Sequence, residues 1–409
     1  MPDLDPPPPS QAAARPQQYP IAAPSATPSL ATTLHQRIAS LGPLRFAEFM
    51  AAALYQPDRG YYARETRQIG RQGDFFTSVS VGPLFGEILA RRFLSEWLEL
   101  GSPPRWRIIE SGAHDATLAA DVLGALAALA PRAFDALDYV IPEPLPVLQA
   151  AQRANLLDYR GRVRFTTHLR DLAADPLPGI AFGNELLDAL PFHLVEWHGG
   201  RWQECRVTSS PDGGFEWIRG DIDDPLLFAA LAPLGDDFPD GYRTEVRTCF
   251  PALLEPLTRC LHAGLMIWID YGFARPDYYH PDRTAGTLRT FANHQAAANP
   301  LTNPGSADIT SHVDFTALAE AALALGGRPT VFRSQGSWLT HVARPWLLEQ
   351  DGNPQPAFLR QFQTLTHPAH LGASFHVLEL SWNPDATPPD ATSLARHLFG
   401  TCPPRNPTG

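Results

Sequence analysis

The chain has 409 residues, 44% of them apolar, and sets 32 basic against 43 acidic side chains for a formal net charge of −11. All the basic residues are arginines, which excludes P-loop nucleotide hydrolysis, Schiff-base catalysis and other lysine-dependent chemistry. An acidic balance with no basic run argues against a nucleic-acid partner, and no stretch reaches the roughly 18 consecutive apolar residues of a membrane span. Cys205, Cys249, Cys260 and Cys402 form no C-x-x-C pair and no histidines cluster, so neither a metal site nor a disulfide framework is expected, and a cytoplasmic protein is.

Residues 1–33 hold nine prolines among Ala, Ser, Gln and Thr, and are expected to be a disordered, dispensable tail. From Leu34, apolar residues recur at helical spacing through Leu54, and a second helix is predicted from Pro83 to Leu100 with Leu84, Ile88, Phe93 and Leu98 on its buried face. This helical lead-in spans residues 34–100.

Beyond Trp106, strands and helices alternate: strand Trp106 to Glu110, helix Asp115 to Ala130, strand Leu137 to Pro142, helix Pro146 to Leu156, then strands Val163 to Thr166 and Gly179 to Phe182. That alternation predicts an α/β fold with a parallel, helix-covered sheet, its first part within residues 101–193. Between 194 and 241, short alternating runs separated by Gly199-Gly200 and Pro211 to Gly214 predict an inserted antiparallel β-meander. The α/β pattern resumes over 242–400 with a helix near Glu245 to His262, strand Leu265 to Ile269 and a final strand Phe375 to Trp382.

Ligands of open parallel sheets gather at the carboxyl ends of the strands. Here the first strand ends in Glu110 and runs through Gly112 into a helix, a turn that suits close backbone approach to a ligand. The second ends at Glu143, where an acid can take up a ribose. The fourth ends in Asn184-Glu185 with Asp188 just beyond, carboxylates able to form bidentate bonds with a guanidinium, although helix capping would use the same residues. The fifth ends in Asp270.

These strand ends and their flanking motifs resemble the MidA family, class I S-adenosylmethionine-dependent methyltransferases whose mitochondrial members dimethylate a protein arginine during complex I assembly. The matching segments include Gly60-Tyr61-Tyr62, Gly73-Asp74-Phe75-Phe76-Thr77-Ser78, Phe85-Gly86-Glu87, Glu143-Pro144, Asn184-Glu185 with Asp188-Ala189-Leu190-Pro191, Asp270-Tyr271-Gly272 and Asp308 to Phe315. The resemblance implies a Rossmann-like fold, S-adenosylmethionine as cofactor and a protein substrate presenting an arginine, with neither nucleic acid nor membrane as partner. It also implies that Gly73, Asp74, Glu110, Gly112, Glu143 and Asn184 hold the cofactor, while Glu185, Asp188 and Asp270 act on the acceptor; Asp308, His312 and Asp314 stand in reserve. Where the family's first-strand turn reads E-x-G-x-G-x-G, this chain has His114 and Ala116 in place of the second and third glycines. That departure leaves a second reading, a non-catalytic assembly or scaffold protein. A glycine restored at position 114 is expected to cost up to about 1 kcal/mol of stability through added backbone freedom.

Overall fold

The computed structural model describes residues 28–64, 77–292, 295–296, 299–350, 355–383 and 398–399. The lead-in opens with helix α1 (Leu30–Leu41), whose first turn is capped by the Ser29 hydroxyl accepting the Thr32 N–H. Leu30, Leu34 and Ile38 recur every fourth residue and are all buried, so the packed chain starts ahead of Leu34 and the expected tail boundary at residue 33 is corrected. Helix α2 (Phe46–Tyr55) follows, then α3 (Leu84–Glu99). Leu84, Ile88 and Phe93 face inward as predicted, but Leu98 falls off that stripe and is 57% exposed. Gly86 sets how closely α3 approaches the next helix: a Cβ there would lie 2.4 Å from Cβ of Asp121.

The α/β core then runs through β1 (Trp106–Glu110), α4 (Thr117–Leu129), β2 (Leu137–Pro142), α5 (Pro146–Asn155), β3 (Val163–Thr166) and β4 (Leu177–Asn184). The insertion supplies β5 (His193–His198), β6 (Arg201–Ser209), β7 (Phe215–Gly220) and β8 (Arg243–Val246). The core resumes with α6 (Phe250–Cys260), β9 (Leu261–Phe273), α7 (Phe315–Ala324), β10 (Gly327–Ser334), α8 (Gln335–Val342), α9 (Pro356–Thr366) and β11 (Phe375–Trp382).

The main sheet has the order β3-β2-β1-β4-β9-β11-β10, parallel from β3 to β9. Only β11 opposes both of its neighbours. Strand residues alternate between two cores: Ile108 and Phe182 face α3 and α4, whereas Ile109 and Ala181 face α6 and α7. Both faces are covered, which is why β1 is buried at all five positions, Arg107 and Glu110 included. The chain passes outward from β1 to β3 and returns on the other side of β1 as β4, and that reversal opens a crevice beyond the ends of β1 and β4.

In the insertion, β5, β6 and β7 pair antiparallel, with Gly199 and Gly200 both at positive φ in the first two-residue turn. The helix expected from Glu245 begins only at Phe250; residues 243–246 are instead strand β8, because the Thr244 to Val246 run completes the open edge of β5. Leu44 and Arg45 pair with Val207 and Arg206, so lead-in and insertion share one sheet.

Candidate functional site

Strand β1 delivers Glu110 to the crevice, and the six-residue turn after it repeats a left-handed backbone at every second position: Gly112 at φ 75°, His114 at 50° and Ala116 at 65°. These are the three places where the family pattern has glycine. The turn therefore keeps the glycine conformation with two residues that carry a Cβ, and at such angles glycine relieves strain, which reverses the sign expected for a glycine at 114. At Gly112 a Cβ would meet Leu186 Cδ1 at 2.9 Å, so the Leu186 side chain would have to shift to admit one. The His114 carbonyl accepts from Gln152 Nε2 at 2.9 Å, and its ring, about one third exposed, keeps Nε2 buried without a partner.

A cleft of about 230 Å³ runs from this turn to the end of β4. Its walls include Glu110, Gly112, His114, Asn184, Glu185, Asp188, Tyr62, Tyr271 and Asp308. Glu110 accepts the Tyr139 hydroxyl, and burial pushes its carboxyl up to about 7. Glu185, another left-handed residue at φ 52°, has one oxygen held by the Ser78 N–H at 3.2 Å and by Asn184 Nδ2 at 3.0 Å. Burial, reinforced by the Asp188 charge, also pushes Glu185 up to about 7. Asp188 accepts the Tyr271 hydroxyl and is raised by burial as well.

Two nominated residues are not brought to the cleft wall. Glu143 is buried beside the His114 turn, with one oxygen taken by the Leu145 N–H at 2.8 Å and the other by Gln152 Nε2 at 3.0 Å. Asp270 is fully buried behind the loop that follows β4, where it accepts the N–H groups of Leu187 at 2.8 Å and Asp188 at 3.1 Å. Its carboxyl shapes the loop that carries Asp188, because two adjacent amides without helical partners need one strong acceptor. Gly73 and Asp74 lie outside the described residues, as does Cys402; Cys205, Cys249 and Cys260 are free thiols. Of the reserve residues, Asp314 caps α7 by accepting from Thr316 and Ala317, and His312 packs edge-on against Tyr271 with burial lowering its imidazole to about 4.

Sequence reasoning missed Arg247. Its guanidinium donates to the carbonyls of Asp188 and His312 at 2.6 Å each, of Ser311 at 3.1 Å and of Leu190 at 3.3 Å, and to Ser311 Oγ at 2.9 Å. Beneath the cleft it thus joins the β4 loop to the segment after Asp308. An arginine ahead of a helix resembles any surface arginine in sequence, and no local signal distinguishes it.

A family profile described as "Putative S-adenosyl-L-methionine-dependent methyltransferase" matches residues 88–332. The chain belongs to that methyltransferase family. The Rossmann-like class I fold is borne out by a crystal structure from Burkholderia thailandensis bound to S-adenosyl-homocysteine, 32% identical, with a TM-score of 0.77 over 89% of this chain and 94% of that one. Among curated relatives, the mitochondrial protein arginine methyltransferase NDUFAF7 homolog of Drosophila melanogaster is 30% identical over 86% of this methyltransferase and 84% of its own length. The mitochondrial protein arginine methyltransferase NDUFAF7 of Homo sapiens is 26% identical over 87% and 83%. The cytoplasmic placement expected from the sequence is overturned by these relatives, which are mitochondrial; scattered cysteines report on disulfides and carry no address. Among the described residues, no helix of this methyltransferase is long and apolar enough to cross a membrane.

Proposed function

We propose that this methyltransferase transfers the methyl group of S-adenosylmethionine to an arginine side chain of a partner protein. The observation that carries the reading is the charge of the cleft: Glu110, Asp115, Glu185, Asp188 and Asp308 line it, and among the described residues no arginine does. A cleft that must hold a sulfonium and a guanidinium together needs that balance.

The residues fit the cofactor. Asn184 Oδ1 is buried without a partner, an acceptor suited to the ammonium of the methionine part, and Glu110 beside it offers a carboxylate. The left-handed turn at Gly112 lets backbone approach a ligand closely; at the start of α4 the Thr117 N–H is taken by Asp115 Oδ1. Glu143 accepts one bond on each oxygen, from Leu145 and Gln152, and keeps a further lone pair on each for a ribose. When bound, the cofactor supplies an electrophilic methyl on sulfur. Glu185 and Asp188 would orient the guanidinium so that one nitrogen lies in line with that methyl, and alignment is the main demand of such a displacement. The proton is lost after transfer, so no imidazole base is needed, consistent with a His312 that stays neutral.

Calorimetric titration with S-adenosylhomocysteine, followed by methyl transfer to arginine peptides, tests the reading. Binding followed by arginine methylation is expected. Absence of binding at millimolar cofactor would overturn the catalytic reading in favour of a scaffold that keeps the fold.

A further inference from the structure

We infer that Gln335 is a positioning residue for Glu185: from the start of α8 it holds Ser78, and the Ser78 N–H holds the carboxylate, an inference that rests on the arginine reading above. The link is made of buried parts, since neither Ser78 nor Gln335 has any exposed surface. The Ser78 hydroxyl donates to Gln335 Oε1 at 3.1 Å, while Gln335 Nε2 donates to the carbonyl of Leu365 at 3.1 Å. On the cleft side, the Ser78 N–H donates to Glu185 Oε1 at 3.2 Å, beside the 3.0 Å bond from Asn184 Nδ2 to the same oxygen.

Local structure explains why a glutamine serves here. Leu365 lies in the last turn of α9, where carbonyls lack helical partners and stay open to an outside donor. Gln335 reaches that carbonyl because α8 meets the end of α9 backbone to backbone: a Cβ on Gly336 would lie 2.3 Å from the Thr366 carbonyl oxygen. A carbonyl can only accept, so the Gln335 amide turns its nitrogen to Leu365 and its oxygen to Ser78, and the Ser78 hydroxyl must donate.

The same helix pair holds the far end of this segment. Gln361 of α9 accepts the Leu84 N–H on Oε1 at 3.0 Å. Between, the Thr77 and Ser80 hydroxyls each accept the other's N–H, at 3.2 and 3.1 Å. Residues 78–84 are thus tied to α8 and α9 at both ends, and Thr77, Val79 and Ser80 line the same cleft as Glu185. Glu185 gains from this support because its backbone is left-handed and its carboxyl is buried. The Ser78 N–H favours the ionised form that a guanidinium requires, so release of Ser78 both frees the carboxylate and raises its affinity for a proton.

The test uses the whole protein, S-adenosylmethionine and a degenerate heptapeptide library with a central arginine. Gln335→Met keeps the length of the side chain and drops both bonds; Ser78→Ala drops the hydroxyl and keeps the N–H. In each, kcat/KM should fall by about twofold to tenfold, mostly in KM. The double variant should fall no further than the worse single one, because the same link is cut twice. The pH at which KM falls, about 7 in wild type, should move upward in all three. Affinity for S-adenosylhomocysteine should stay within twofold, which also reports a folded protein; a drop there as large as the drop in kcat/KM shows a link that steadies the cofactor instead of Glu185, and overturns the inference. Effects that add, or an unmoved pH midpoint, overturn it as well. Ser78→Ala decides the matter if Gln335→Met does not fold. Unchanged kinetics in the folded variants overturn the role of Gln335 and leave the arginine reading intact, whereas wild type that transfers to no arginine peptide overturns both.

Discussion

Replacing His114 with glycine tests the cofactor turn most directly. The residue sits at φ 50°, where an L side chain carries about 1–2 kcal/mol of strain. Glycine removes that strain and returns about 0.5–1 kcal/mol as unfolded-state freedom. The ring is about one third exposed; its Nε2 has no partner and its Nδ1 stands 3.6 Å from Asp115 Oδ1, so its loss gives up only a long, partly exposed contact. The bond from Gln152 goes to the backbone carbonyl and survives. His114→Gly is thus expected to stabilise the protein by up to about 1 kcal/mol, whereas Ala116→Gly, at φ 65°, also gives up a buried methyl worth about 0.8 kcal/mol and should come out near zero. Urea unfolding of the three proteins with a shared m value measures both. A loss of more than about 1 kcal/mol in His114→Gly would refute the left-handed assignment or reveal a bonded imidazole. Titration of the same proteins with S-adenosylhomocysteine adds a second readout, with nearly equal affinities expected; binding seen only after the histidine is removed would favour the scaffold reading.

Glu110 and Glu185 each rise from an ordinary 4.5 to about 7, chiefly through burial, so folding takes up their protons. The unliganded protein should therefore lose stability as pH rises from about 4.5 to 7, and the KM for an arginine acceptor should fall between pH 6 and 8 as Glu185 ionises; flat profiles in both would refute the burial of these groups. A chain beginning at Leu34 loses Leu30, which is 5% exposed, and the Ser29 cap, and should be about 2–3 kcal/mol less stable in urea than one beginning at Pro28. Equal stability would return the boundary to residue 33. Arg247→Gln strands several buried carbonyls and should cost at least about 3 kcal/mol by the same assay; a cost below about 1 kcal/mol would mean that the two loops hold each other without it.

Strand ends proved the most legible part of the sequence. Glu110, Asn184 and Glu185 were recognisable because a parallel strand buried on both faces reads as an apolar run, and the first polar residue after it stands at the sheet's edge. That logic locates a backbone position and not the direction of a side chain. Glu143 and Asp270 also end their strands, but nearby amides claim their oxygens. Strand β8 was misread because Glu245 and Arg247 beside a following Leu-rich helix blur the period, and its pairing with β5 is a long-range choice. Leu30 hid among prolines, while Arg247 acts only through partners far along the chain.

The single guanidinium of Arg247 has a kinetic consequence. Asp188 and Ser311 are separated by more than a hundred residues of chain, yet the Ser311 N–H ends on the Asp188 carbonyl and both carbonyls end on one side chain. Neither loop can lift without leaving the other's polar groups stranded, so the two should open as one cooperative unit. In hydrogen exchange, the amides of Leu187, Asp188 and Ser311 would then share one opening free energy and lose protection together when Arg247 is replaced, while Ile108 and Ile180 in the middle of the sheet keep theirs.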